Sequence, residues 1–312
     1  MFSHKSFLLI ISIFSILHYV SFTTPVIGIY GGGPLYSGGN ANIAKNINDL
    51  KASGFTKVIL WSVHVYGNGD LVYNDKKIAS QGSYVGDAQW PSYLKTLKSG
   101  QTSVNQIYLS VGSAGVGDFA SVANLIKTQG TSPSSILYKN FMALRLALPD
   151  VEGIDLDDED YVDHDTIVQF SVLLGKIGFK VSFCPYYGQD FWISCLKDVQ
   201  ALAPNVVSHF NLQCYAGGSG NDPNTWQQAI NKSGVKIPVY PGRANSESST
   251  SQIQSDFQKW KNQGITGGFM WLYDGILKSG IPTAKFATAI KNGLSVAGLQ
   301  KKGIVKRFKG RV

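Results

Sequence analysis

Eight short apolar segments alternate with helical patterns along residues 25–295 of this 312-residue chain. The segments have the length and the Val, Ile, Phe and Tyr content of buried strands, and several run into Gly-rich or Pro-rich loops. Strands that are joined by helices pair in parallel, because a helical crossover returns the chain to the starting end of the sheet. The rhythm therefore predicts an α/β fold, a single-domain (β/α)8 TIM barrel, with a doubly wound open sheet as the competing arrangement.

The predicted elements follow from apolar spacing and from turn residues. The strands are 25–30, 56–61, 106–111, 152–159, 180–184, 206–215, 236–240 and 268–273. Asn68-Gly69 between β-type residues predicts a hairpin within 66–74. Helices are predicted at 40–53, 90–97, 118–128, 134–148 and 283–294, with two more along the apolar stripes 167–177 and 253–260. Asp163 or Asp165 is suited to cap the helix that carries the first of these stripes.

The two ends of the chain differ from its centre. Residues 1–24 have a basic start at Lys5 and an apolar run from Phe7 to Leu17, which is typical of an export signal and short for a membrane span of roughly 20 residues. An uncleaved anchor is the alternative. Residues 296–312 hold six of the basic residues behind the net charge of +8 and are predicted to be a solvated tail, or a weak electrostatic hold on anionic surfaces. We therefore predict a secreted, monomeric protein with no stable membrane span after signal removal.

Three cysteines leave two interpretations open. Cys184 and Cys214 pair if their strands are adjacent and the protein is exported, or all three, Cys195 included, are buried free thiols. Neither the cysteines nor the five dispersed histidines have the spacing of metal ligands. The sequence therefore predicts no metal and no cofactor, and nothing in it matches a nucleic-acid-binding module.

The most informative stretch is 152–159, where Asp155, Asp157 and Glu159 alternate with Ile154 and Leu156. In a strand, alternate side chains share a face, so three carboxyl groups lie in a row about 6.6 Å apart on one side. Like charges that close must differ in protonation or hydrogen bonding, which moves their pKa values apart. The pattern indicates a functional row of carboxyl groups, here called the carboxylate row.

Two other interpretations of this stretch fit less well. An acidic surface loop does not alternate its charges with Ile and Leu. A calcium loop of the helix–loop–helix type needs Gly at the sixth position from Asp155, where Asp160 stands. Outside this stretch, the chain contains no Gly-x-Ser-x-Gly motif, so the sequence does not support a Ser-His-Asp hydrolase of that type.

The stretch resembles the signature of glycoside hydrolase family 18, Asp-Gly-x-Asp-x-Asp-x-Glu on the fourth strand of a barrel. Glu152 stands where the family has its first Asp. Ser110-Val111-Gly112-Ser113 is similar to the Ser-x-Gly-Gly of the third strand, whose small residues let the backbone approach the carboxylate strand. Gln213-Cys214-Tyr215-Ala216 resembles the sixth-strand pattern of Met or Gln, any residue, Tyr, then Asp or Asn, from which Ala216 departs. Trp271 resembles the eighth-strand Trp beneath the sugar at the cleavage point.

The resemblance implies a role for each matching residue. Glu159 is the general acid, and its protonated form is expected to be favoured by burial and by the neighbouring carboxylates. The N-acetyl oxygen of the substrate is the nucleophile, so configuration is retained. Asp157 orients the acetamido group, Asp155 exchanges a proton or hydrogen bond with Asp157, and Tyr215 donates its hydroxyl to the acetamido oxygen.

Substrate contacts are predicted from side chains near the carboxyl ends of the strands. They are Trp271, Gln213, Tyr30 and Tyr186, with Trp61, Tyr187 and Trp192 as further subsites. The resemblance implies a chitinase that cleaves β-1,4-linked N-acetylglucosamine. An endo-β-N-acetylglucosaminidase acting on N-glycans uses the same residues, and a chitin-binding lectin on the same fold is the non-catalytic alternative.

Overall fold

A computed structural model describes residues 24–36, 40–160 and 163–295. The predicted export signal, apart from Thr24, and the predicted basic tail lie outside the described residues. Within these ranges, no helix is both long and apolar enough to cross a membrane.

One mixed sheet contains all the strands of the described residues. In chain order they are β1 (Ile27–Gly31), β2 (Lys57–Val65), β3 (Leu71–Tyr73), β4 (Lys76–Ser80), β5 (Ser83–Tyr84), β6 (Gln106–Gly112), β7 (Gly153–Asp157), β8 (Lys180–Phe183), β9 (Val207–Gln213), β10 (Val239–Ala244) and β11 (Gly268–Trp271).

Strands β1, β2 and β6 to β11 are parallel and form the barrel. Each pairs with the next in that order, and β1 pairs with both β11 and β2, which closes the ring. The predicted (β/α)8 barrel is confirmed, and the open sheet is excluded. The predicted hairpin is present too, because β3 runs antiparallel to the extended end of β2, with Val65 opposite Leu71.

Helices follow the barrel strands and surround them. They are α1 (Gly33–Tyr36), α2 (Asn40–Ser53), α3 (Trp90–Leu97), α4 (Asp118–Gln129), α5 (Ile136–Ala147), α6 (His164–Ile177), α7 (Gln189–Leu202), α8 (Pro223–Lys232), α9 (Thr250–Asn262), α10 (Tyr273–Ser279) and α11 (Thr283–Leu294).

Local sequence explains where several helices begin. Asp163, one of the two predicted caps, accepts a hydrogen bond from the Thr166 amide at the start of α6. Asp222 caps α8 in the same way, with Pro223 in its first turn. Tyr273, predicted as the end of a strand, instead begins α10, since β11 ends at Trp271.

Alternation along β7 separates two environments. Ile154 and Leu156 are fully buried in the large apolar core between the barrel and its helices. Asp155 and Asp157 are also buried, but their contacts come from strands across the barrel, so they face its interior. The sequence pattern thus places an apolar wall and a polar interior on the same strand.

Side chains inside the barrel lie in three levels along its axis. At the amino ends of the strands, Lys57, Tyr108, His209 and Tyr240 contact one another, and we call this set the base layer. Asp155 and its partners form the middle level. Asp157 lies at the carboxyl ends with Trp61, Gln213 and Trp271. Active sites in such barrels lie at this end.

Candidate active site

Asp155 is fully buried and accepts four hydrogen bonds. Its Oδ2 accepts from Tyr30 Oη and Ser110 Oγ, each at 2.9 Å. Its Oδ1 accepts from Ser182 Oγ at 2.5 Å and Asn211 Nδ2 at 2.9 Å. Burial raises the pKa of Asp155, and the four hydrogen bonds act in the opposite direction. Because all four partners can donate, the site is built for the ionised carboxylate.

Asp157 has fewer donors and a stronger shift. Trp61 Nε1 donates to its Oδ2 at 3.2 Å, and Gln213 Nε2 donates to its Oδ1 at 3.1 Å. Burial raises the pKa of Asp157 well above its usual value, and the charges of Glu159 and Asp155 raise it further. Asp157 is therefore the member of the buried pair that holds a proton most readily.

Glu159 lies just beyond the end of β7 and is half-buried, so its carboxyl group reaches solvent. Its Oε1 accepts from Gln213 Nε2 at 3.1 Å. Tyr186 Oη donates to the backbone carbonyl of Glu159 at 3.4 Å and supports the loop that carries it. Glu159 is thus held at the open end of the carboxylate row, where a substrate has access.

A single amide nitrogen joins the two upper carboxyl groups. Gln213 Nε2 lies 3.1 Å from an oxygen of Asp157 and 3.1 Å from an oxygen of Glu159. The bridge therefore holds the carboxyl groups of Asp157 and Glu159 together in one polar cluster at the carboxyl end of β7.

Gly112 lets the neighbouring strand approach the row. Its φ of +104° is in the left-handed region, and a Cβ there would lie 2.3 Å from the carbonyl oxygen of Asp157. The predicted packing role of the small residues after β6 is therefore confirmed at Gly112.

An aromatic cluster borders the row at the carboxyl ends of the strands. Trp271 is half-buried, and its ring stacks on Tyr215 with centroids 6.2 Å apart and an interplanar angle of 16°. Trp61, also half-buried, meets Trp271 edge-on at 4.7 Å. Burial raises the pKa of Tyr215 well above its usual value, so its hydroxyl keeps its proton and can donate. The exposed parts of the two tryptophans offer apolar surface next to Asp157.

Two aromatic residues lie elsewhere than predicted. Tyr30 is only 1% exposed, and Asp155 accepts from its hydroxyl, so it supports the row from within and does not reach a ligand on the surface. Trp192 lies in α7, is fully buried and packs on Phe183, so it is a core residue and not a subsite. Tyr186 and Tyr187 are partly exposed, and their rings pack at 4.3 Å.

Gln213 also differs from its predicted use. It is 6% exposed, and its amide nitrogen is occupied by Asp157 and Glu159, so it organises the row in this structure.

The two departures from the family pattern, Glu152 and Ala216, have separate consequences. Glu152 lies at the base of β7, where it pairs with Lys98 and accepts from the Ile107 amide at 2.7 Å, far from the open end of the barrel.

Ala216 is exposed, and its backbone amide lies 3.2 Å from each carboxylate oxygen of Glu247. Glu247 follows β10 and brings a carboxylate beside the position where the family pattern has Asp or Asn. The sequence gives no sign of this contact, since the two residues are far apart in the chain.

All three cysteines are buried free thiols, which decides between the two interpretations in favour of thiols. Cys184 lies against the row, since Tyr30 Oη is 3.4 Å from its Sγ. Burial raises the pKa of the Cys184 thiol well above its usual value, which keeps the sulfur protonated.

Three polar residues of the site were outside the predicted catalytic and substrate-binding sets: Ser182, Asn211 and Ser110, for which only a packing role was predicted. Strand register carries a signal for the two serines, because Ser110 and Ser182 are the direct neighbours of Asp155 on β6 and β8. Among the residues that the structure describes, no group of three or more His, Cys, Asp or Glu is arranged to hold a metal ion.

Neither a protein-family model nor a curated protein matches the chain. Solved structures do. A chitinase from Bacteroides thetaiotaomicron aligns with a TM-score of 0.61 at 12% identity, covering 92% of this chain and 100% of that one. A plant class V chitinase mutant from Cycas revoluta, in complex with (GlcNAc)3, aligns with a TM-score of 0.58 at 9% identity over 86% and 100% of the two chains.

A chitinase from Chromobacterium violaceum aligns with a TM-score of 0.55 at 14% identity, covering 88% of this chain and 100% of that one. At these identities the likeness concerns the fold. The chain therefore has the barrel fold that these chitinases share, along nearly its whole described length.

Proposed function

We propose that this protein is a glycoside hydrolase of family 18 that cleaves β-1,4 links between N-acetylglucosamine units of chitin or its oligosaccharides. The observation that carries the proposal is the carboxylate row, in which one amide bridges Asp157 and Glu159 at the open end of a barrel. The shared fold of the solved chitinases supports it. Export from the cell belongs to the same proposal, since chitin is an extracellular polymer.

Glu159 is the proton donor in this proposal. Its carboxyl group is half-buried beside solvent, whereas Asp155 and Asp157 are buried beneath it. A glycosidic bond breaks when its leaving oxygen receives a proton while positive charge develops at the anomeric carbon. Glu159 is the most exposed of the three, which supports the proposal that the proton passes from Glu159 to the leaving sugar.

The substrate supplies the nucleophile. In family 18, which the carboxylate row resembles, no carboxylate of the enzyme attacks the anomeric carbon. The acetamido oxygen of the bound sugar attacks that carbon instead, and a cyclic oxazolinium ion forms. Water then opens the ion and restores the original configuration, with Glu159 taking the proton from the water.

Asp157 and Tyr215 stabilise the acetamido group. Asp157 accepts from the acetamido N–H, which aligns the acetamido oxygen for attack, and the negative charge that Asp155 and Asp157 share offsets the positive charge of the ion. Tyr215 keeps its proton and donates to the acetamido oxygen. Asp155, with four hydrogen-bond donors around it, holds the negative charge of this pair beneath Asp157.

The test is product release by the purified full chain from chitotetraose, followed by mass spectrometry, with a high-mannose glycopeptide in a parallel reaction. We expect shorter acetylated oligosaccharides from chitotetraose and none from the glycopeptide. Cleavage of the glycopeptide alone would assign the same chemistry to N-glycans. Binding of chitotetraose with no product would point to a lectin on this fold and would refute the proposal.

A further inference from the structure

Lys57 places an amine inside the barrel, below the carboxylate row. It is 2% exposed, and its Nζ lies 2.9 Å from Nε2 of His209. Lys57 is on β2 and His209 is on β9, which are on opposite sides of the closed barrel. The contact therefore crosses the interior. The amine also lies 4.2 Å from the centroid of the Tyr108 ring, a cation–π geometry.

The partners of the amine are neutral. Among the described residues, no carboxylate lies within ion-pair distance of Lys57, and Glu152 and Asp155 on β7 act on it only through space. Tyr108 faces it from β6 and Tyr240 from β10. Burial lowers the pKa of His209 well below its usual value, and the charge of Lys57 lowers it further, so the imidazole is neutral.

Hydrogen bonding sets the direction of this network. The charged amine donates to His209 Nε2, and the Nδ1–H then donates to Ser208 Oγ at 2.8 Å, a tautomer assigned from the contacts.

Burial lowers the pKa of Lys57 to about 7, and the charges of Asp155 and Glu152 oppose that shift. The base layer thus carries a positive charge below neutral pH and loses it above.

The base layer is directly below Asp155. His209 and Asn211 are two residues apart on β9 and share its inner face, and Asn211 donates to Asp155. Ser182, another donor to Asp155, pairs in register with His209. The amine of Lys57 and the carboxylate of Asp155 are both buried, so their interaction is weakly screened.

We propose that Lys57 is a positioning residue for the carboxylate row. Its buried charge favours the ionised form of Asp155 from below. The protons of the row are therefore held by Asp157 and Glu159, which lie nearer the substrate. The role in catalysis rests on the proposed glycosidase function. The electrostatic coupling of Lys57 to Asp155 does not.

The first test compares pH profiles of kcat/KM on chitotetraose for the wild type, Lys57→Met and Lys180→Met. Methionine keeps the unbranched apolar stem and removes the charge. Lys180 is exposed at the base of β8, where its amine contacts a backbone carbonyl, so its variant controls for loss of a charge at the same end of the barrel.

Without the cation, Asp155 takes up a proton at a higher pH. We expect the acid limb of the Lys57→Met profile to move up by about one pH unit, the effect of one charge on the order of 10 Å away at an effective dielectric of ~20. The profiles converge above neutral pH, where Lys57 is uncharged in the wild type. An unmoved acid limb, or the same shift in Lys180→Met, overturns the proposal.

The second test needs no catalysis. In protein labelled with 13C-carboxyl aspartate, the Asp155 signal, assigned with Asp155→Asn, is followed against pH. We expect a step near pH 7 in the wild type as Lys57 loses its proton, and no such step in Lys57→Met. A wild-type signal without that step refutes the coupling, even if Lys57→Met does not fold. If the protein shows this step but cleaves no substrate, the coupling is supported and only the glycosidase function is refuted.

Discussion

The carboxylate row and the base layer both bury ionisable groups inside one barrel, yet they differ in access and in partners. Asp155 has four donors, and the row ends at Glu159 in contact with solvent. Lys57 and His209 share one hydrogen bond and are sealed from solvent. Burial thus shifts pKa values in both sets, but only the carboxylate row reaches solvent, and the proposed function gives it the proton that a ligand receives.

Two glutamates of one motif show the same contrast. Glu152 pairs with Lys98 at the base of β7, and Glu159 stands free of any cation at its carboxyl end, among the described residues. They are seven residues apart in the chain. Position along the barrel axis, and not the residue type, separates the structural Glu152 from Glu159, the proposed proton donor.

The largest effect is expected from Glu159→Gln. Glutamine keeps the shape and the contact with Gln213 but carries no acidic proton, so we expect product release from chitotetraose to fall by about 10³-fold or more while binding persists. Calorimetric titration with chitotetraose checks the binding, and initial rates check the loss.

The matched control is Glu152→Gln in the same motif. We expect its rate to stay within about threefold of the wild type and its unfolding free energy to fall by about 1 kcal/mol, because a partly exposed ion pair is weakened. Equal losses of activity in the two variants would erase the distinction between the two ends of the barrel.

Asp157→Asn is expected to lower the rate by about 10²-fold and to stabilise the fold. The native pKa of Asp157 is raised above its unfolded value, mainly by burial, so the native state holds the proton more tightly. Stability from this group therefore falls as pH rises from the unfolded pKa towards the native one. The side chain of Asn cannot ionise, so the variant does not lose stability in this way as pH rises.

The advantage of Asp157→Asn should thus grow with pH in that window, to about 1 kcal/mol at neutral pH. Chemical denaturation of both proteins at pH 4 and pH 7 measures it. A variant that is less stable than the wild type at pH 7 would show that the charged form is the one the barrel favours.

Tyr30→Phe removes one of the four donors to Asp155, together with the contact of the hydroxyl with the Cys184 sulfur. We expect about a tenfold fall in kcat with little change in KM, since the hydroxyl does not reach the substrate. Tyr73→Phe is the control, because Tyr73 is equally buried and its hydroxyl donates to the Gly32 carbonyl at 2.7 Å. If Tyr30→Phe and Tyr73→Phe lowered kcat equally, the effect of Tyr30→Phe would be explained by general destabilisation and not by its hydrogen bond to Asp155.

The smallest effect is the pH-dependent stability of Lys57→Met. The native pKa of Lys57 is about 7, below its unfolded value of 10.5, so the unfolded state binds the extra proton between these values. Wild-type stability therefore rises from pH 7 to 10.5, and the penalty of the buried amine is full below 7. We expect Lys57→Met to be more stable by about 1 kcal/mol at pH 6, since the lost contact with His209 offsets part of the gain.

Thermal unfolding of Lys57→Met and the wild type at pH 6 and pH 10 measures this difference. The gain should be gone at pH 10, where the lost contact with His209 leaves the variant no more stable than the wild type. A gain of the same size at both values would assign it to packing and not to charge.

Local patterns predict much of this molecule. The strand–helix rhythm predicts the barrel, and the alternation of Asp155, Asp157 and Glu159 with apolar residues predicts a strand with two different faces, because both depend on neighbours in the chain. Local patterns do not predict contacts across the barrel interior. The bond from Tyr30 to Asp155 and the contact of Lys57 with His209 depend on barrel closure and register, which no local pattern encodes.

Loops set a further limit. Glu247 reaches the amide of Ala216 because the loop after β10 turns towards β9, and the sequence gives no signal for that turn. Tyr30 and Trp192 have the residue type of sugar-binding aromatics but are buried, since exposure depends on neighbours that are distant in the chain.

The most direct measurement for the central claim is the configuration of the first product. Proton NMR during the first minutes of chitotetraose cleavage distinguishes the two anomers at the new reducing end before they interconvert. A proton from Glu159 and an acetamido nucleophile predict that the β-anomer appears first. An initial α-anomer would mean that water attacks directly from the opposite face, aided by a second base, and would contradict the account.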